Sequence, residues 1–397
     1  MSQTKALDVA DIAPYIESER VVELLRTLVQ IPSENPPGNE AEVARTVRRF
    51  CEQAGLEVSA HEAEADRPNL IARWREGDGP TVAFCTHLDV VPAGDPSSWK
   101  HPPFAAQIEE RRLHGRGASD AKGPLAAALE AVTALRSAKV DLAGTLELEL
   151  VSDEETMGFK GAGYLIEQEL VRPDFAIVGE PTSLRVVHAQ RGAHWFQITT
   201  RGRSAHGSAP ERGASAIRHM AEIIVRLEET LPNVSHRVLG GPSINVGTIS
   251  GGSKVNMVPE RCTIEVDRRS IPGESAEGVS ASIDAAIDLA RETFPDLDAT
   301  VELALSAQPF EVAEDSRIVR EVTRAAADVA GGKSELMGFR GASDARFLAE
   351  AGAEVVVCGP GQIELAHTSD ESIDLGELER GALLYALAFA RLLAPAH

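Results

Sequence analysis

The stretch that decides the fold reads LELELVSDEET and runs from Leu146 to Thr156. Leucine and glutamate alternate in its first part, which predicts a strand that is at least half buried. The strand then runs directly into three acids, Asp153, Glu154 and Glu155. Adjacent carboxylates repel one another unless a cation lies between them. A solvated acidic turn is the alternative interpretation, and the remainder of the chain has to decide between the two.

Length and composition limit the class of protein. A chain of 397 residues, 43% of them hydrophobic, is long enough for two cores, so we expect two domains. Lys and Arg number 39 against 61 Asp and Glu, which leaves a formal charge of −22. This charge disfavours nucleic acid and anionic membranes as partners. It carries no information about the fold.

The cysteines and the first residues of the chain bear on location. Four cysteines are scattered without CxxC spacing, which predicts buried free thiols of a reducing compartment. The first residues, MSQTKALDVADIAPYIESER, lack a basic start followed by an apolar run, and no stretch is long enough to span a bilayer. We therefore expect a cytoplasmic protein without a membrane segment.

The order of strands and helices predicts an α/β protein with an insertion. Strands alternate with helices up to about residue 185, which indicates a mainly parallel sheet flanked by helices. Residues 186–305 instead show three strands and two amphipathic helices, typical of a small α+β domain. Over residues 306–397 the pattern of the first part, with strands and helices in alternation, resumes. We therefore predict a catalytic domain formed by residues 1–185 and 306–397, with the smaller domain inserted between them.

Four more segments place polar side chains where strands end or helices begin. His87 and Asp89 follow an apolar strand and point the same way, so the aspartate can fix the tautomer of a metal-binding histidine. A buried core histidine is the alternative. Asp120 lies in the turn GRGASDAKG, where it is either a ligand or an ordinary helix cap. Glu180 ends the strand before Pro181, and His367 lies on a glycine-rich loop.

These groups are expected to meet because parallel sheets gather their sites beyond the carboxyl ends of the strands. Two histidines and several carboxylates, without a thiolate, suit two divalent ions of the zinc type. One carboxylate would bridge the ions. The adjacent acids Glu154 and Glu155 then offer one metal ligand and one free base.

The motifs HLDVVP, GRGASDAKG, SDEE, VGEP and a late GPGQIELAH occur in this order over nearly the whole chain. Together they resemble the zinc aminoacylase and carboxypeptidase family M20, in particular its acetylornithine deacetylase and succinyl-diaminopimelate desuccinylase branch. The resemblance implies two metal ions, which share Asp120 and are otherwise held by His87 and Glu180 and by Glu155 and His367. It also implies Glu154 as the general base, Asp89 behind His87, and a cis peptide bond after Asp120.

For the inserted domain, the resemblance implies a homodimer in which His206 reaches the partner's site to stabilise an oxyanion. A surface histidine is the alternative. Asn256 and Arg269 would bind polar groups of the substrate, although Arg269 is equally suited to a salt bridge with Asp267. The remaining expected substrate contacts are Gly341, Ser343 and Arg191.

The sequence thus predicts a metal-dependent amidohydrolase that acts on an N-acyl amino acid. Zinc is the first choice of metal, with cobalt or manganese as alternatives. A dipeptidase or carboxypeptidase, or a catabolic amidase, shares the same skeleton, and a non-catalytic metal-binding homologue is the alternative of another class. The late GPGQIELAH is similar to deacetylases, whereas GASDARF is similar to desuccinylases, so the acyl group stays open.

Overall fold

The computed structural model describes residues 7–395, so the first six residues of the N-terminal segment discussed above lie outside the described part. It divides into two compact units. Of the described residues, the first unit comprises 7–188, 312–337 and 343–395, and the second comprises 189–311 and 338–342. The sequence predicted residues 186–305 for the inserted domain. The structure also assigns to this unit a short segment just before Ser343.

The strands, in chain order, are β1 (Glu57–Glu62), β2 (Pro68–Glu76), β3 (Thr81–His87), β4 (Gln107–Glu109), β5 (Arg112–His114), β6 (Gly144–Val151), β7 (Phe175–Val178), β8 (Val186–Gln190), β9 (Ala193–Arg201), β10 (Ser243–Gly251), β11 (Arg261–Arg269), β12 (Asp298–Ala307), β13 (Phe310–Glu311), β14 (Leu336–Phe339), β15 (Glu354–Val357) and β16 (Ser372–Asp374).

The α-helices are α1 (Val9–Ile12), α2 (Ser18–Val29), α3 (Ala41–Gln53), α4 (Lys122–Ser137), α5 (Ala162–Glu167), α6 (Ala216–Glu229), α7 (Ala276–Thr293), α8 (Arg317–Ala330), α9 (Ala345–Glu350) and α10 (Leu375–Leu392). A short 3-10 turn, Glu154–Thr156, follows β6.

The first unit is built on a mixed sheet in which neighbouring strands follow the order β1-β2-β6-β3-β7-β15-β8. Its centre is parallel, because β3 pairs in parallel with both β6 and β7, and β7 pairs in parallel with β15. Strands β1 and β2 extend it in antiparallel fashion. The predicted fold class, a mainly parallel sheet flanked by helices, is confirmed.

Helices α4 and α10 form the middle of the first core. Both are almost entirely buried and both are rich in alanine and leucine, so they pack closely against each other and against the sheet. A helix that is apolar around most of its circumference has to be covered on several sides. The first residues of α4 are buried in this way. The helix begins at Lys122, just after Asp120.

The second unit has an antiparallel sheet of order β10-β11-β9-β12, with α6 and α7 packed on the apolar core of one face. The predicted long strand from Val186 is wrong in one respect, since Arg191 and Gly192 separate β8 from β9. The prediction of three strands for this domain also missed β12. Its sequence DATVELALSA places Val301, Leu303 and Leu305 at strand spacing, so this strand could have been predicted from the sequence.

Two further expectations concern the thiols and the membrane. Cys51, Cys85, Cys262 and Cys358 are all free and buried, as predicted. Within residues 7–395, none of the helices is both long enough and apolar enough to cross a membrane.

Candidate metal centre

The polar residues singled out in the first unit lie at one edge of its sheet. Strands β6, β3, β7 and β15 are consecutive neighbours, and each one ends near a candidate side chain. They contribute Glu154 and Glu155 after β6, His87 and Asp89 at the end of β3, Glu180 after β7, and His367 in the loop after β15. Asp120 is added by the turn before α4. The parallel pairing explains why segments far apart in sequence meet here.

His87 is fully buried and its tautomer is fixed by its neighbours. Its Nδ1 lies 2.9 Å from the backbone carbonyl oxygen of Asp89, which only accepts, so Nδ1 carries the proton of a neutral ring. The Asp89 carboxylate is more distant, at 3.5 Å. Nε2 faces the Asp120 carboxylate at 3.1 Å. In the neutral ring this is a lone pair facing a carboxylate, an arrangement that a cation between the two groups would stabilise.

Asp120 lies between the two histidines. One of its oxygens is 3.1 Å from Nε2 of His87, and the other is 3.4 Å from Nε2 of His367. The same nitrogen of His367 is 3.0 Å from Glu155 Oε2. A carboxylate whose two oxygens face different histidines has the geometry of a bridging ligand. The peptide bond from Asp120 to Ala121 is cis, as the resemblance implied.

The turn that carries Glu154 and Glu155 is held by two aspartates. The Asp89 carboxylate accepts hydrogen bonds from the backbone amides of Glu154 and Glu155, at 3.3 and 3.1 Å, and from the Asn35 side chain at 2.8 Å. Asp89 therefore orients the acidic turn in addition to contacting His87.

Asp153, the first of the three acids in this turn, is held by groups other than the two histidines. It accepts from the Thr156 hydroxyl at 2.7 Å, from the Lys160 amide at 3.0 Å and from Arg67 at 3.1 Å. Its own backbone is in the left-handed region, with φ 75°. These contacts fix the start of the turn, so the positions of the next two acids are defined.

Burial and mutual repulsion shape the charge of this cluster. Burial, followed by the charge of Glu180, raises the pKa of Glu154 well above its usual range. Burial, followed by the charge of Asp120, does the same for the pKa of Glu180. Hydrogen bonds to Asp120 and Glu155 raise the pKa of His367 to about 10. The buried carboxylates of this cluster repel one another, and cations bound between them would stabilise their charged forms.

The donor set fits divalent metal ions. His87, Asp120 and Glu155 have ligand atoms within 4.8 Å of one another, and so do His87, Glu154 and Glu180. Glu180 Oε1 is buried and has no hydrogen-bond partner in the part of the chain described, residues 7–395. Imidazole and carboxylate ligands without thiolate suit zinc-like ions. The geometry places Glu154 as close to the cluster as the predicted ligands, so its separate role as a base stays a prediction.

Two buried acids near this centre were missed by the sequence reasoning. Glu371 accepts from the backbone amides of Ser119 and Asp120, both at 3.0 Å, and pairs with Arg116 at 2.6 Å. Asp344 is buried, and neither of its carboxylate oxygens has a hydrogen-bond partner within residues 7–395. Burial raises its pKa to about 7. Asp344 lies in the quoted motif GASDARF, and Glu371 lies four residues after the quoted GPGQIELAH, but neither position carries a signal of burial.

The residues expected to bind substrate belong to different units. Ser343 is buried in the first unit, whereas His206, Asn256, Arg269, Arg191 and Gly341 lie in the second. Arg269 forms the salt bridge with Asp267 that was its alternative, at 2.9 Å. Arg191 donates to the carbonyl oxygens of Leu239 and Gly241, at 2.5 and 2.7 Å. These contacts give both arginines a structural role within their own unit.

The fold and the cluster together define a class, an α/β protein with a candidate two-metal centre at the carboxyl edge of its sheet. Comparison with known proteins identifies one family and several relatives. Residues 83–391 match Peptidase family M20/M25/M40. Acetylornithine deacetylase of Proteus mirabilis is 30% identical over 379 residues, covering 90% of this chain and 93% of the relative. That of Pectobacterium carotovorum is 32% identical, covering 80% and 82%.

Solved structures agree with this result. The aminopeptidase PepT of Bacillus cereus has a TM-score of 0.81 and 26% identity, covering 95% of this chain and 99% of that one. A dinuclear metal-binding M20 peptidase of Bacillus subtilis, 17% identical with a TM-score of 0.75 over 95% and 98% of the two chains, shares the fold. The chain therefore belongs to peptidase family M20/M25/M40, and it is a metal-dependent hydrolase.

Proposed function

We propose that this enzyme hydrolyses the amide bond of an N-acyl amino acid, as a deacetylase or desuccinylase, with two divalent ions of which zinc is the first choice. The observation that carries the proposal is the Asp120 carboxylate between His87 and His367, with Glu155 and Glu180 beside it. The relatives named acetylornithine deacetylase, at 30 and 32% identity, support this type of substrate. The buried free thiols support a cytoplasmic location.

Each residue then has a defined task. The ions would be held by His87, Asp120, Glu155, Glu180 and His367, and when bound they would supply Lewis acidity at the scissile carbonyl. Glu154 accepts a proton from the attacking water and delivers it to the leaving nitrogen. Asp89 keeps Glu154 in position through the backbone amide.

The substitution Glu154→Gln tests the assignment of the base. Gln keeps the volume of the side chain but cannot take up a proton, so turnover should fall by about 10²-fold or more. The metal content, measured by elemental analysis, should stay at the level of the unmodified enzyme. Glu167→Gln, on the exposed side of α5, is the matched control. Near-normal turnover in the Glu154→Gln enzyme would show that another group is the base.

The proposal includes a homodimer formed through the second unit, in which the partner subunit's His206 stabilises the oxyanion. In the second unit His206 is exposed, and its Nδ1 accepts a hydrogen bond from the Ser208 amide at 3.2 Å. The neutral ring therefore carries its proton on Nε2, where it is available as a donor to an anion.

Mixed dimers test this arrangement. Glu154→Gln and His206→Asn enzymes should each be inactive, but a mixed dimer contains one site with both residues intact. Random exchange of subunits should therefore restore about a quarter of normal activity, because half of the dimers are mixed and one of their two sites works. Mixtures that stay inactive, although subunit exchange is demonstrated, would place His206 in its own subunit's site, and an active His206→Asn enzyme would place it outside catalysis.

The proposed substrate contacts remain Asn256, Arg269, Arg191, Gly341 and Ser343. Arg269 can bind a carboxylate of the substrate only if it leaves Asp267.

A peptidase is the second candidate, because PepT is 26% identical over nearly the whole chain. A panel of N-acetyl and N-succinyl amino acids, dipeptides and tripeptides, with zinc, cobalt or manganese added, separates the two. The deacylase proposal fails if kcat/KM is higher for peptides than for every N-acyl amino acid in the panel.

A further inference from the structure

A second group of imidazole and carboxylate side chains lies on and beside the hairpin formed by β4 and β5. The turn of this hairpin consists of Glu110 and Arg111, both with positive φ, as expected for a tight two-residue connection. Gln107 pairs directly with His114 across the two strands. Glu109 is two residues beyond Gln107, so all three side chains emerge on the same face. The hairpin geometry thus presents a carboxylate and an imidazole side by side.

A second imidazole is added by the loop before β4. The ring of His101 packs on that of His114, with centroids 4.4 Å apart, and its side chain is only 12% exposed. Ligand atoms of His101, Glu109 and His114 all lie within 4.8 Å of one another. None of these residues belongs to either group of the catalytic cluster. The three side chains are therefore a different set of candidate ligands from those of the centre described above.

The contacts of His101 determine which nitrogen is available as a ligand. Its Nδ1 is 2.7 Å from the amide oxygen of Gln107, which accepts, so Nδ1 carries the proton of the neutral ring. Metal-binding histidines are commonly held in this way by an acceptor on the far nitrogen. Nε2 then presents its lone pair to Glu109 Oε2 at 3.2 Å. Two ligands on one tetrahedral zinc ion, each about 2.0 to 2.2 Å from it, are separated by about this distance.

We propose that His101, Glu109 and His114 form a surface site for a divalent transition-metal ion of the zinc type, with a fourth position open to water. Lys100 now neutralises the carboxylate, with its Nζ 2.5 Å from Glu109 Oε2. The Lys100 side chain is 66% exposed, so it leaves at little cost when an ion binds. An ion at this site joins the loop carrying His101 to both strands of the hairpin.

Zinc counting on the full-length protein tests the site. The protein is stripped with a chelator and dialysed against a series of free Zn²⁺ concentrations, and bound zinc is measured by elemental analysis. His114→Gln should bind one equivalent fewer than the unmodified protein at saturation, with its hydrolytic activity retained as evidence of correct folding. His61→Gln, a histidine on β1 outside the cluster, should bind the full number. The result is a difference between variants, so it does not depend on how many ions the catalytic centre holds.

Two further variants distinguish the loss of a defined zinc site from an unspecific effect of removing a histidine. Gln107→Leu removes the acceptor that sets the tautomer, and it should weaken zinc binding at this site by about 10-fold or more. Lys100→Met removes the competing cation and should strengthen binding. Equal zinc stoichiometry in His114→Gln and the unmodified protein would overturn the proposal. An affinity that neither Gln107→Leu nor Lys100→Met alters would do the same.

Discussion

Replacing Arg67 by Met should destabilise the first unit strongly, because two buried acids depend on this guanidinium. The Arg67 side chain is 6% exposed and lies 2.6 Å from Glu40, whose side chain is fully buried. A second nitrogen of the guanidinium, Nη1, lies 3.1 Å from Oδ1 of Asp153, whose side chain is 5% exposed. Met keeps the length of the side chain but leaves both carboxylates buried without their cation. Breaking such a buried pair costs about 3 to 5 kcal/mol of unfolding free energy.

The structure also indicates which part of the network matters. Arg67 has a third acidic partner, Glu64, at 3.3 Å, but that side chain is 49% exposed. Exposed pairs contribute about 0 to 1 kcal/mol, so Glu64→Gln is the matched control and should change the unfolding free energy little. Adding Glu40→Gln to Arg67→Met should recover part of the loss, because it removes one of the two uncompensated charges.

Urea unfolding followed by tryptophan fluorescence is the assay. Of the three tryptophans, Trp74 and Trp99 lie in the first unit and Trp195 lies in the second. A Trp195→Phe background therefore makes the signal specific to the first unit. The reasoning is refuted if Arg67→Met costs less than about 1 kcal/mol, the limit for an exposed pair. It is equally refuted if Arg67→Met and Glu64→Gln have the same effect.

Three other predictions follow from single contacts. Burial, then the charge of Arg268, lowers the pKa of His194 to about 4. The unfolded residue titrates near pH 6.5, so the second unit should lose stability as the pH falls from about 6.5 to 4, and His194→Gln should reduce this loss in pH-dependent urea unfolding. Glu371→Gln should weaken metal binding about 10- to 100-fold in a chelator competition, because Glu371 holds the Asp120 amide; unchanged affinity would contradict this role. Tyr385→Phe should cost about 1 kcal/mol in the same urea assay, since the buried hydroxyl donates to the Cys358 carbonyl at 2.8 Å, and no loss would mean that water replaces it.

The sequence predicted the fold class and the place where the candidate site forms, for a physical reason. A buried strand that ends in a polar residue leaves a strong local pattern, and His87, Glu154 and Glu180 all follow such strands. Once the sheet is parallel, its geometry brings them to one edge. The structure does place these residues together, while the role of each in catalysis remains a prediction.

What the sequence could not predict depends on contacts between distant side chains. Glu371 and Asp344 lie on loops, where no periodicity distinguishes a buried acid from a solvated one. Arg269 had two equally suitable partners, and only the structure shows that Asp267 holds it. Strand β12, by contrast, carries Val301, Leu303 and Leu305 at strand spacing, so its omission was an error of the prediction and not a limit of the sequence.

The position of β15 has a consequence for synthesis of the chain. This strand, Glu354–Val357, lies between β7 and β8 in the sheet, although about 165 residues of sequence separate it from β8 and about 175 from β7. On the ribosome, β7 thus emerges long before its partner and presents an unpaired edge, the kind of surface that promotes aggregation. The second unit is nearly continuous in sequence and can fold during this interval. A nascent chain that is stopped before β15 should therefore contain a folded insert and an incomplete, chaperone-dependent sheet.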